Sequence, residues 1–377
     1  MKWLSAAILC LLCGLFFLLP AHGEEGGLPE AEYSEFLAGI PDDVAALLPE
    51  GIFSSDAGEV ASGAEEISGF SFLASRALSL VGAELDGAVR LFGRLVGILL
   101  IAAVGGVIRG TIGSEALSRA VGLCTTCTVI GSLLSLTGEA VTAAAGFFER
   151  LTALIAGMIP VVGTLYAMGG NVGTAVVSGG GMMIFLAVVE QLCAATLAPV
   201  AGVCVAIAVS DAFFGEGGLR GLGSFVKKVY TFFLGTVMLL LTFSLSVQTN
   251  LAAGADGLAM KSAKMLAGRV IPVVGGAVGE TLRTVAGSVS YLKSTVGTVG
   301  IVAVVLLLLP PLVTVVLYRL GLVAASACAD LLGCQNEGKL LESFVTVYGY
   351  LLAVMCISAV SAVFLLTLFV KCGVALA

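Results

Sequence analysis

Charge is scarce in this chain. Of its 377 residues only 11% are Asp, Glu, Lys or Arg, while 59% are hydrophobic. Soluble domains average roughly 25% charged residues, so a surface that water could cover is excluded. Histidine and tryptophan are nearly absent: His22 and Trp3 are the only ones, and both lie in the first 23 residues. Beyond them the chain has no imidazole, which removes the usual general base and metal ligand. A Walker phosphate loop, a Gly-rich dinucleotide fingerprint, an HExxH pair and a basic nucleic-acid patch are all missing. So are the alternating segments of about 10 residues that build a membrane β-barrel. Nothing reads as catalytic, and neither a cofactor nor nucleic acid is expected.

What the chain does have is length without charge. Leu151–Val189, Gln191–Ser210, Val229–Ala255, Ser294–Tyr318 and Ser343–Val370 contain no charged residue. About 20 apolar residues cross a bilayer core of about 30 Å, and several of these runs exceed that. The 50 glycines suit helices that approach closely in lipid. The fold class expected is an all-α polytopic membrane protein.

Taken in order, residues 1–23 read as a signal peptide. Lys2 precedes an apolar core from Leu4 to Leu19, and Ala21-His22-Gly23 offers a small-x-small cleavage site. An uncleaved anchor is the alternative. Residues 24–88 hold 14 of the 25 acidic residues and a single base, Arg76, which marks them as an extracytoplasmic acidic lead-in. It serves either partner contact or solvation only. Residues 89–377 form the polytopic domain, with polar loops expected at Asp211–Lys228 and Arg319–Glu342.

Within that domain Ile159-Pro160-Val161-Val162-Gly163 recurs 112 residues later as Ile271-Pro272-Val273-Val274-Gly275. Asp211 is mirrored by Asp330, and Ser224-Phe225-Val226 by Ser343-Phe344-Val345, each 119 residues on. These matches define an internal repeat, about 119–228 and 229–345. Proline removes a backbone donor and glycine permits unusual dihedrals. Pro160, Gly163, Pro272 and Gly275 are therefore candidate hinge or pore-lining residues in broken, re-entrant hairpins; a tight turn between packed helices is the other reading. Five full spans plus two such hairpins put the basic loops Arg109–Arg119, Arg220–Lys228 and Arg319–Lys339 in the cytoplasm. The repeats are then parallel; hairpins that cross fully would invert them.

Glu190 stands alone between two uncharged runs, a candidate intramembrane carboxylate for ion or proton coupling. The competing reading has it facing the bundle interior, paired to a hydroxyl or backbone donor. Cys124-Thr125-Thr126-Cys127 has redox spacing but lies in an apolar span, so the cysteines read as small apolar filling.

The run Gln248-Thr249-Asn250 … Ala255-Asp256-Gly257 … Lys261 … Lys264 … Ile271-Pro272-Val273-Val274-Gly275-Gly276-Ala277 … Gly287-Ser288 … Leu292-Lys293 … Pro310-Pro311 … Tyr318-Arg319 resembles the stage III sporulation protein AE family. The resemblance implies a subunit of a channel-like, secretion-related complex in the mother-cell membrane around the forespore. Its partners would be the other proteins of its operon, among them a cytosolic ATPase and ring-forming bitopic proteins, and a forespore-membrane protein. Its role would be to support late forespore gene expression. A homo-oligomer fits as well. From the residues alone, a secondary transporter with a midplane carboxylate and a passive membrane scaffold remain open.

Overall fold

Two of the turns between the long helices are set by glycine. The computed structural model describes residues 40–46, 48–54, 57–67, 69–111, 115–214, 220–270 and 275–372, together with Ser34, Leu37 and Ala38. After short helical turns at Asp42–Ala45 and Glu50–Phe53 come α1 (Ala57–Ile67), α2 (Phe70–Thr111), α3 (Glu115–Met168) and α4 (Val172–Val188). A π turn at Val189–Ala194 leads into α5 (Ala195–Phe214), followed by α6 (Arg220–Val270), α7 (Gly275–Leu331) and α8 (Gln335–Lys371). Among the described residues there are no strands. Among those same residues, six helical stretches are long and apolar enough to cross a membrane, the π turn being internal to the third.

The α3–α4 and α7–α8 turns are built alike. Gly170 and Gly333 adopt φ 78° and φ 74°, the left-handed region that side chains avoid. Asn171 N–H then bonds to the Tyr166 carbonyl at 2.9 Å, and Cys334 N–H to that of Ala329 at 2.9 Å. Gly170 N–H reaches Ala167 at 3.0 Å and Gly333 N–H reaches Asp330 at 3.2 Å. These are Schellman caps, which satisfy carbonyls orphaned at a helix end.

Helix α7 with α8 forms the centre, and α2, α3, α4–α5 and α6 surround that pair. Every residue from Leu292 to Leu308 is buried, as expected of a helix apolar on all sides. The N-terminal turns and α1 make a small lobe around Ile52, Val60 and Ile67 that rests on α7.

Several sequence expectations change here. Helix α3 runs unbroken through Pro160, so the first Ile-Pro-Val-Val-Gly is not a re-entrant hairpin; the chain reverses only at Gly170. The second lies partly outside the described residues, which resume at Gly275. Among the described residues six stretches, rather than five, qualify as candidate spans. The loop expected at Arg319–Glu342 is instead helical except for the turn at residues 332–334. Polar residues there extend the helices, because a long helix continues beyond apolar sequence as long as its caps allow.

One end of the bundle carries the basic segments around Lys227, Lys228, Arg319 and Lys339, while Lys261 and Lys293 lie toward the other. Ala102–Val107 of α2, Gly122–Thr126 of α3, Ala212–Phe213 of α5 and the α7–α8 turn contribute to one open cavity of about 800 Å³. The α3–α4 turn and the end of α8 lie at the opposite end.

Candidate functional site

The third span is interrupted by the π turn at Val189–Ala194. In the π turn, Ala195 N–H bonds to the carbonyl of Glu190, five residues back. Pro199 follows one turn later, inside α5. Its ring and missing N–H crowd the carbonyls upstream, and a π turn is one way a helix relieves such crowding. Within the widened turn, the Leu192 carbonyl accepts from both Thr196 Oγ1 and the Tyr230 hydroxyl. Those two hydroxyls also contact each other. Cys193 Sγ lies 3.2 Å from Ser358 Oγ of α8, and Tyr230 packs edge-on against Tyr350 at 5.5 Å. This polar knot fastens the irregular turn to α6 and α8.

Glu190 sits on the same turn, near the middle of the span, yet it is exposed. It faces neither the bundle interior nor an enclosed conduit, so the interior-paired reading of this carboxylate is set aside. A carboxylate facing outward at membrane depth is costly without a partner.

The first duplicated motif is a packing element. Val161 and Val162 are fully buried, and Pro160 and Gly163 lie half-buried beside them. Thr164 Oγ1 bonds to the carbonyls of Pro160 at 3.1 Å and Val161 at 3.0 Å. Nothing lies within 4 Å of where a Cβ on Gly163 would be, so crowding does not require that glycine. Pro272 lies outside the described residues, and Gly275 is the first residue of α7. Cys124 and Cys127 are free thiols on an exposed face of α3.

Two features at the end opposite those basic segments were not singled out from sequence. Helix α4 is capped by a carboxylate from another helix. Asp256 of α6 accepts from Gly173 N–H at 3.1 Å, Thr174 N–H at 2.7 Å and Thr174 Oγ1 at 2.8 Å. A Cβ on Gly173 would lie 2.8 Å from Asp256 Oδ1, so the close approach needs glycine. The carboxylate satisfies orphan N–H groups and favours the positive end of the helix dipole.

The second feature is Lys293, 1% exposed. Its Nζ donates to the Cys372 carbonyl at 2.6 Å, at the end of α8. It also lies 4.5 Å from the Tyr166 ring centre and 5.5 Å from that of Phe369. The two rings meet edge to face at 5.4 Å. A cation at a helix C-terminus meets the negative dipole end, and the aromatic faces replace part of its hydration. The sequence signal was available: Lys293 is the last charge before an uncharged run that reaches Tyr318.

Neither the curated proteins nor the solved structures contain a match to this chain. The family described as stage III sporulation protein AE matches residues 55–375. That range takes in Asp256, Lys293, the π turn and all six apolar spans, so this membrane protein belongs to the stage III sporulation protein AE family.

Proposed function

We propose that the protein is the multi-pass subunit of a channel-like, secretion-related complex in the mother-cell membrane surrounding the forespore, where it supports late forespore gene expression. What supports this reading above all is membership of a sporulation membrane family across residues 55–375. The exposed Glu190 in a candidate span adds to it, because a carboxylate on the outer face of a bundle invites a second membrane protein in place of lipid. The partners are the products of the same operon, including a cytosolic ATPase and ring-forming bitopic proteins, and a forespore-membrane protein. The basic end faces the cytoplasm by the positive-inside tendency, which puts the acidic lead-in on the other side. No chemistry is assigned to the chain itself.

The transporter alternative needs a carboxylate inside the bundle, and Glu190 does not supply it. The scaffold alternative predicts that Glu190 tolerates any substitution.

The test is a deletion in the source organism, complemented by chains carrying a photo-crosslinker at Gln191, beside Glu190. Arrest after engulfment with loss of late forespore expression, and crosslinks to another membrane protein, are the expected results. A growth defect tied to one nutrient, with sporulation intact, would replace this reading by the transporter. Crosslinks to lipid alone would favour the scaffold.

A further inference from the structure

The repeat-matched residues Ser224 and Ser343 face one cavity at the end of the bundle that carries Lys227 and Arg319. Together with Cys204, Gly223, Glu342 and Thr346 they line a cavity of about 230 Å³ between α5, α6 and α8. One helical turn from this lining lie Lys227 on α6, following Gly223 and Ser224, and Gly349 on α8, following Thr346. A Cβ on Gly349 would collide with Lys227 Nζ and lie 3.7 Å from Arg319 Cζ of α7. The ammonium and the guanidinium therefore converge on the space this glycine leaves. Arg319 Nε is buried without a hydrogen-bond partner, and neither cation has a carboxylate partner among the described residues. Two like charges, half-buried and side by side, repel each other and have lost part of their hydration. An anion reverses both penalties.

We propose that this cavity binds a phosphate group, with Lys227 and Arg319 as its ion partners. The hydroxyls of Ser224, Ser343 and Thr346 now donate to carbonyls of their own helices, at 3.0, 3.1 and 3.4 Å. A hydroxyl rotates readily towards a charged oxygen, which is the stronger acceptor. Glu342, exposed at the rim, repels a second anionic group and accepts a hydrogen bond from a hydroxyl. The chemistry selected is thus a single phosphate with a hydroxyl-bearing substituent, or inorganic phosphate itself. A phospholipid headgroup and a free phosphate share that chemistry. Basic pockets between helices on the cytoplasmic side suit anionic headgroups.

The full chain in neutral detergent would be titrated with phosphatidylglycerol, phosphatidylcholine and inorganic phosphate, following the melting temperature and ligand retention by native mass spectrometry. Phosphatidylglycerol should stabilise and remain bound, and phosphatidylcholine should do neither. Lys227→Gln and Arg319→Gln should each weaken binding by about tenfold, the loss of one charge-assisted contact, while Lys227→Arg retains it. Protection by inorganic phosphate without phosphatidylglycerol would keep the site and assign it to a soluble phosphate. Should a Gln variant not fold, the double variant Ser224→Ala, Ser343→Ala leaves both charges in place and should still bind several-fold more weakly. The proposal falls if phosphatidylcholine binds as well as phosphatidylglycerol, or if the variants bind like the wild type. It falls equally if neither phosphate source binds, leaving the cation pair to an acidic side chain of a partner protein.

Discussion

Helices α6 and α7 are both long and both apolar, yet they occupy opposite positions in the bundle. In the candidate span of α7, 67% of the apolar window is buried; in that of α6 the figure is 22%. Burial along α6 falls on one narrow stripe, Leu234, Met238, Thr242, Leu245 and Thr249, at helical spacing. Phe232, Leu239, Phe243 and Leu251 point away from it. Along α7 no side is free between Leu292 and Leu308. The contrast shows that apolarity alone does not choose the centre of a membrane bundle. Lipid solvates Phe243 as well as protein does, so packing, small residues and internal hydrogen bonds make the choice.

Overpacking the central helix should give the largest effect. A Cβ on Gly297 would collide with Val370 and lie 3.4 Å from Phe369 Cδ1. Gly297→Val should therefore cost about 3 kcal/mol in a detergent unfolding titration. Phe243→Ala in α6 should stay within about 0.5 kcal/mol; equal losses would erase the distinction between the helices. Next in size, Lys293→Ala removes a charged hydrogen bond, two aromatic contacts and side-chain volume, and should cost about 2–3 kcal/mol. Lys261→Ala, at an exposed position of α6, should be silent in the same titration.

Asp256 sharpens the comparison from the other direction, because it gives α6 a specific role despite its thin packing. Asp256→Ala should cost about 1–2 kcal/mol, the usual loss of a helix cap. Asp256→Asn should retain part of that, and hydrogen exchange should rise first at Gly173 and Thr174. Tyr230→Phe, which frees the Leu192 carbonyl of one donor, should cost about 1 kcal/mol. The smallest stability change is expected at Glu190. Glu190→Gln should stay within about 0.5 kcal/mol and leave membrane levels unchanged, while lowering co-purification of partner proteins. Loss of the protein from the membrane would instead make Glu190 a packing residue.

The fold class was legible because it is written in one dimension, as runs without charge. The helix turns were not. Pro160 looked like the breaker, yet α3 runs unbroken through it, since membrane helices tolerate proline where the surrounding structure accommodates the freed carbonyl. Gly170 and Gly333, two among 50 glycines, make two of the reversals, and nothing local separates them from the rest. Asp256 and Lys293 were visible as charges but not as sites. Their partners lie 82 and 79 residues away in the chain, beyond the reach of any local pattern.

The sequence by itself determined that this chain is a helical membrane protein, because uncharged length leaves the backbone no other way to satisfy its hydrogen bonds in lipid. Tertiary structure decided which helix is central, that Glu190 faces outward, and that Ser224 and Ser343 share one cavity beside Lys227 and Arg319. Those outcomes depend on which faces meet across the bundle, and a face acquires a neighbour only when the helices pack.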